Sequence, residues 1–506
     1  MSENLTSCSK EPDLIQGGMG VAVSDWRMAN TVARAGERLG KPVLGVVSGT
    51  GIAGVMLDRL RLGDPDAMRA LQAFPVPKIA QEIQAEYWLK KTSQFRLPPK
   101  PEVFVNGSEE RKARAAKLLV VANFAEVWLA KQGHSSPIGI NYLEKVQLLH
   151  LPEIYGAMLA GVDYVLMGAG LPNQIPEILD RFAVNDAASY RIDVSGSEKH
   201  VLTFDPATII PEEKRHALKR PKFLAIISLQ VAAQVLAQKT KGEVNGFIVE
   251  GPTAGGHNAP PRGKEIDENG EPVYGPKDEP DLSRIQQLGR PFWLAGGQAK
   301  PGSLQKAKEA GAVGIQVGSA FALSNESAMN EGAKEQLRKR GFKGELKVIA
   351  SARVSPSGFP FQVAQLEGTL SEEAVYAARK RDCIYGYLVE PYLRSDGNIG
   401  FRCPAEHIAV YAAKGGKEED TVGRKCLCAG LAATVGHAQP GQPEIVTLGK
   451  ELGFLRELMA DADSSYSAED VIEYIYTFVQ SQRIICGSLR AIASSSRCAS
   501  LPPRTR

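Results

Sequence analysis

With 506 residues, the chain is long enough for one barrel-sized domain plus a second unit. Its 60 Lys+Arg against 57 Asp+Glu give no electrostatic case for a nucleic-acid or membrane-surface partner. No apolar run approaches a membrane span, the leading MSENLTSCSKEPD lacks a signal-peptide core, and seven cysteines do not make a disulfide scaffold, so a cytoplasmic, reducing setting is expected.

The first apolar run, DLIQ, ends in Gly17-Gly18-Met19-Gly20, and a helix is predicted from Asp25 to Leu39. PVLGVVS (42–48) again runs into glycine; residues 52–94 and 109–132 read as helices. PIGINY (137–142) and VDYVLMG (162–168) are strands flanking an amphipathic helix over 145–160, and an insertion covers roughly 180–220. KFLAII (222–227) precedes a helix with Leu229, Ala232, Ala233 and Leu236 on one face. GFIVE (246–250), PFWLAG (291–296), a helix over 301–310 and AVGIQVG (312–318) complete the series.

Eight near-continuous apolar strands alternating with helices predict an α/β fold with a parallel sheet buried on both faces. Eight units over roughly 310 residues fit a closed (β/α)8 TIM barrel with insertions, occupying 1–330. A doubly wound open sheet is the weaker alternative, because no G-x-G-x-x-G opens a helix after the first strand. Residues 331–486 are expected to form a mixed, mostly helical C-terminal domain packed on the barrel. There Thr369 with Glu372, and Ser467 with Asp470, have the spacing of helix caps, and Val471, Ile472, Ile475, Phe478 and Val479 line the apolar face of the last helix. The Ser- and Arg-rich tail 487–506 has too few large apolar residues to pack and is expected to be disordered.

The chain's chemistry concentrates in VNGFIVEGPTAGGHNAPPRG (244–263). Gly255 and Gly256 let backbone approach a flat ligand, and His257 directly after them carries a side chain suited to proton transfer near neutrality. The loops after strands seven and eight, Gly296-Gly297-Gln298 and Gly318-Ser319-Ala320, offer free backbone N–H groups where barrels often bind phosphate. The Pro- and Gly-rich stretch between His257 and Phe292 is expected to be an active-site lid. His134, His150, His200 and His216 fall on polar or loop stretches, where a solvated histidine is the default. Cys383, Cys403, Cys426 and Cys428 have the ligand count of a four-cysteine zinc or iron–sulfur site, but their spacing is irregular and lacks C-x-x-C knuckles. They are read as small buried residues, and no metal is expected.

In order, QGGMG (16–20), GINY (139–142), GAG (168–170), EGPTAGGH (250–257), AGGQ (295–298) and VGSAF (317–321) resemble the motifs of the nitronate monooxygenase (2-nitropropane dioxygenase) family of FMN-dependent TIM barrels. The wording is closest to the family's trans-acting enoyl reductases of polyunsaturated fatty acid and polyketide synthases. VSPSGFPF (354–361) resembles the family's post-barrel crossing segment, whereas the two large insertions and the long C-terminal half depart from the short bacterial nitronate enzymes. The resemblance implies FMN as cofactor. Gly18, Met19 and Gly20 would lie against the flavin ring, and Asn141 at its edge. Gly255 and Gly256 would sit close to the isoalloxazine, and Gly296, Gly297, Gln298, Gly318 and Ser319 at the phosphate. His257 is the catalytic candidate. Two chemistries follow: oxidation of alkyl nitronates with O2, or NAD(P)H-dependent reduction of enoyl thioesters on an acyl carrier protein. A flavin-binding module without turnover is a third reading, disfavoured by a titratable group beside the two glycines.

Overall fold

The computed structural model describes residues 11–89, 98–197 and 200–477; the expected tail 487–506 lies outside them. Eight parallel strands close into a barrel: β1 (Leu14–Gln16), β2 (Val43–Ser48), β3 (Ile138–Leu143), β4 (Tyr164–Gly168), β5 (Lys222–Ile227), β6 (Gly246–Glu250), β7 (Phe292–Ala295) and β8 (Gly314–Val317). Each pairs with its neighbours in sequence, and β8 returns to β1 with Leu14 opposite Ile315 and Gln16 opposite Val317. All eight predicted strands are therefore present in the predicted order.

Because side chains alternate across a strand, each strand feeds two cores. Ile15, Leu44, Val46, Leu166, Leu224, Ile248 and Trp293 fill the barrel interior. Trp293 is fully buried and donates from Nε1 to the Pro12 carbonyl at 2.7 Å, which closes the floor. The outward residues, such as Val43, Val47, Ile140, Val165, Phe223 and Phe247, pack against the surrounding helices. The helix Trp26–Leu39 starts where Asp25 accepts from the amides of Arg27 and Met28, and it ends at Gly40 with φ of 63°. The buried Arg59 guanidinium joins Asp25 (2.7 Å) and Glu126, tying helices Ile52–Leu62 and Glu109–Ala130 to the start of that first helix.

The 180–220 insertion contains an antiparallel hairpin, Ala188–Ile192 against His200–Phe204, beyond what its polarity suggested. Beyond β8 the chain forms helix Glu331–Lys343 and hairpins Val348–Ser351/Phe361–Ala364 and Glu390–Leu393/Ile399–Arg402. The short helices Glu373–Ala378, Ile408–Ala413, Leu427–Thr434 and Leu455–Leu458 and a helix over 468–477 complete it. Ser467 and Asp470 do cap the last helix, each amide bonding the other's side chain at 2.7 and 3.2 Å. Val471, Ile472 and Ile475 are buried as predicted, while Phe478 and Val479 lie outside the described residues. Leu448, Phe454, Leu455 and Val471 join the same apolar cluster as the barrel's outer layer, so this region shares a core with the barrel. No helix among the described residues is long and apolar enough to cross a membrane.

Candidate active site

A cavity of about 260 Å³ opens at the C-terminal ends of the strands, the end where barrel enzymes keep their chemistry. Gly18, Met19, Gly20, Asn141, Gly255, Gly256, His257, Gly296, Gly297, Gln298, Gly318 and Ser319 all line it. The fold thus brings every predicted site residue to one space.

Local geometry explains several of these residue types. A Cβ on Gly18 would stand 2.3 Å from the Asn141 Cβ, so only glycine lets the loop after β1 cross β3. Asn141 reaches back through Nδ2 toward the Gly18 carbonyl at 3.4 Å. Its Oδ1 is buried without a partner, as is Oε1 of Gln316 at the top of β8. Buried acceptors left unpaired are costly unless a ligand satisfies them. Both residues line the cavity, which suits a flat heterocycle with N–H groups on its edge.

The loop after β6 is held by chain far downstream. The Gly256 amide donates to Thr447 Oγ1 at 2.7 Å, the Gln362 amide donates to the Gly256 carbonyl at 3.0 Å, and the Lys450 amide donates to the Thr253 carbonyl at 3.0 Å. A Cβ on Gly255 would lie 2.9 Å from the Leu448 carbonyl carbon and 3.0 Å from the Gly449 nitrogen. Gly255 thus makes room for the 447–449 backbone. Gly256 has nothing within 4 Å of such a Cβ but adopts φ of 81°. The Gly449 amide in turn donates to Ser319 Oγ at 2.7 Å, so one short stretch links the loops after β6 and β8.

His257 places Nε2 2.7 Å from Ser355 Oγ, and its ring packs edge-on against Phe361 at 4.8 Å. Ser355 is fully buried and shares its hydroxyl with Ser357 Oγ at 2.8 Å. That leaves Nδ1 as the ring nitrogen without a hydrogen bond among the described residues. The surface that His257 retains faces the cavity rather than bulk solvent, and burial lowers its pKa to about 4. The imidazole is therefore neutral at pH 7. Glu250, at the end of β6, lines the same cavity, and burial raises its carboxyl to about 8, which keeps it protonated at pH 7. No lysine or arginine lines the cavity among the described residues; Lys300 is engaged nearby with the lining Glu451 at 2.8 Å.

Several lining residues escaped the sequence reading: Ser48, Tyr142, Glu250, Thr253, Gln316, Tyr387, Leu388, Leu427, Leu431 and Thr447. Residues 258–291, expected as a lid, contribute none of the lining. They include a second, smaller cavity with Glu250, Asn258, Tyr274 and Asp278, and the Glu271 carboxylate pins them to Lys450 at 2.8 Å. The cover comes instead from the post-barrel chain. His150, expected to be solvated, is 1 % exposed, sits against Tyr190 and has its pKa lowered by burial.

No family model and no curated protein matches the sequence. Among solved structures the chain is similar to FabK from Thermotoga maritima, at 14% identity over 95% of this chain and 96% of that one, with a TM-score of 0.48. It is similar to nitroalkane oxidase from Streptomyces ansochromogenes at 14% identity, covering 94% and 97%, TM-score 0.43. The enoyl reductase domain of MlnA from the macrolactin biosynthesis cluster of Bacillus amyloliquefaciens shares 12% identity over 95% and 97%, TM-score 0.44. Scores below 0.5 carry nothing about chemistry, and the barrel stands on its own strand pairing.

Proposed function

We propose that the chain is an FMN-dependent oxidoreductase with His257 as its acid–base group. The observation that carries this is the convergence of four glycine-rich loops, Asn141 and His257 on one cavity at the barrel's C-terminal mouth. The unpaired Asn141 and Gln316 amide oxygens suit the polar edge of an isoalloxazine, and the amides of 296–298 and 318–319 suit a phosphate held by backbone groups. When bound, the flavin supplies the two-electron redox chemistry. The chain's own residues orient the substrate, exclude water and move a proton.

Of the two chemistries, the geometry favours reduction of an enoyl thioester. A nitronate is an anion, and this cavity offers it no lysine or arginine and a neutral imidazole. Desolvating an unpaired anion there is unfavourable. Away from the glycine loops the wall is apolar, with Val23, Val146, Leu388, Leu427, Leu431 and Phe454, which fits a hydrocarbon chain. With Nε2 held by Ser355, His257 can polarise the thioester carbonyl or exchange a proton through Nδ1. Protonated Glu250 adds a neutral donor. Nitronate oxidation is the second reading, supported by His257 as a base toward neutral nitroalkanes, which need no cation.

The test compares purified holoenzyme in two assays. NAD(P)H oxidation with enoyl thioesters is expected to exceed O2 consumption with nitronates by at least about tenfold in kcat/KM. The reverse order would overturn the reductase reading, and protein that takes up FAD, or no flavin at all, would overturn the cofactor.

A further inference from the structure

The four cysteines between 383 and 428 are far apart in sequence and irregularly spaced, and the active site uses none of them as a reacting group. They are nevertheless gathered around one small cavity, which Cys383, Cys403, Cys426 and Cys428 all line. None is in a disulfide. Every cysteine among the described residues is in this cluster.

The surroundings differ from those of ordinary buried thiols, which act as small apolar fillers. Each sulfur receives backbone N–H groups: Gly386 donates to Cys383, Ala405 to Cys403, Ala429 and Cys428 to Cys426, and Leu388 and Tyr387 to Cys428. Cys383 and Cys403 also hydrogen-bond each other. Amide donors directed at sulfur are the outer shell that thiolate ligands of zinc and iron–sulfur centres use. Positive charge stands by as well, with Lys100 beside Cys383 and Arg379 beside Cys426. Four thiolates on a metal carry net negative charge, which such neighbours offset.

The fold around the cluster needs a fastener. Cys383 precedes the hairpin Glu390–Leu393/Ile399–Arg402 and Cys403 directly follows it, while Cys426 and Cys428 begin the helix Leu427–Thr434. The elements between them bury little: strand Glu390–Leu393 is half-exposed and helix Ile408–Ala413 buries only Tyr411. Short units with so little core are commonly held by disulfides or metals. A route in exists, because Cys383 also lines an adjoining open cavity with Glu102 and His407.

We propose that Cys383, Cys403, Cys426 and Cys428 are the ligands of a four-thiolate metal centre, zinc or an iron–sulfur cluster, that staples the 390–402 hairpin to the 427–434 helix. As the side chains stand, no three of them converge on a single ion. Binding therefore requires the sulfurs to turn inward about χ1, a choice among staggered rotamers. This replaces the expectation, drawn from irregular spacing alone, that these residues bind nothing. Leu388, Leu427 and Cys428 line both this cavity and the larger one at the barrel mouth, so the metal would also fix one wall of the active site.

The experiment uses the full chain, purified without oxygen from cells supplied with iron and zinc and passed through a chelator. Expected is about one zinc per chain, or iron with matching acid-labile sulfide, the two arms distinguishing the metals. C383S/C426S should lose the metal, and C8S/C486S/C498S should keep it. A folding-independent arm titrates wild-type protein with a mercurial, which should release the metal in step with four thiols, and replaces it with cobalt, which should give sulfur-to-cobalt charge-transfer bands. Metal below about a tenth of an equivalent with no cobalt uptake, or metal retained in C383S/C426S, would overturn the proposal. None of these readouts depends on the flavin or its substrate.

Discussion

Replacing His257 with alanine separates cofactor binding from chemistry, and the structure sets the size of each effect. The imidazole makes one hydrogen bond, to buried Ser355, and one edge contact, with Phe361. Losing the ring contact costs about 1 kcal/mol and the hydrogen bond about another, which a chain of this size tolerates. Ser355 keeps its partner Ser357 Oγ, so no buried hydroxyl is orphaned. Flavin contacts from the glycine loops and Asn141 do not pass through the imidazole, so flavin content should stay within about twofold of wild type. Turnover should fall about 10²-fold or more, the usual worth of a positioned acid–base group, or about 3 kcal/mol of barrier. The pH dependence is more diagnostic. Because burial sets the imidazole near 4, wild-type kcat/KM should show no histidine step between pH 5 and 8. Ser355→Ala, which frees the ring but leaves it in place, should lower kcat about tenfold and move the acidic limb upward as water reaches Nε2. Stopped-flow reduction and steady-state rates over pH 4–9, with flavin content from absorbance, measure all of this. Full activity of His257→Ala on every substrate would refute the assignment, and a limb near 6.5 in wild type would refute the buried, neutral imidazole.

Glu250→Gln should stabilise the protein increasingly with pH. The unfolded carboxyl releases its proton near 4.5 and the folded one near 8, so in that window the unfolded state binds fewer protons. Rising pH then favours unfolding of wild type by up to about 1.4 kcal/mol per unit, an effect the amide abolishes; thermal melts from pH 5 to 9 should show the gap widening and levelling above about 8. Gly255→Ala should displace the 447–449 backbone, costing about 1–3 kcal/mol and lowering flavin occupancy. Gly256→Ala, with open space but φ of 81°, should cost about 1 kcal/mol and leave occupancy nearly intact. Paired melts and absorbance ratios check the contrast. Leu431→Trp should reduce kcat/KM for long enoyl chains at least about tenfold more than for crotonyl thioester if the apolar wall holds the chain; equal losses would locate the chain elsewhere.

The barrel was readable because each strand is apolar on both faces and most end in glycine, two signals that depend on a few adjacent residues. The glycine loops were readable for the same reason, though the cause at Gly255 differs: its missing Cβ is required by Leu448 and Gly449, nearly two hundred residues away. The alternation Tyr190, Ile192 buried against Ser189, Arg191 exposed marks the insertion's hairpin and could have been read as a strand. Apolar neighbours Leu148, Leu149 and Leu151 likewise signal that His150 is buried. The cavity's outer wall offered no such pattern. Tyr387, Leu388, Leu427, Leu431 and Thr447 reach the site through long-range packing of short elements, and no local period records that. Ser355 lay inside a segment singled out for its Ser, Pro and Gly content, but only the folded chain aligns it with His257 Nε2.

The clamp by Thr447, Gly449 and Lys450 on the loops after β6 and β8 also has a consequence for biosynthesis. All eight strands leave the ribosome once residue 318 is made, yet the clamp is still about 130 residues from synthesis, an interval on the order of ten seconds at typical elongation rates. Throughout it the nascent barrel has its loops unfastened and its mouth open to the surroundings. Cofactor capture therefore belongs to the completed chain, and a ribosome stalled between these points carries a barrel without a finished cavity. Cutting the gene back to the barrel strands reproduces that stalled product rather than a minimal enzyme.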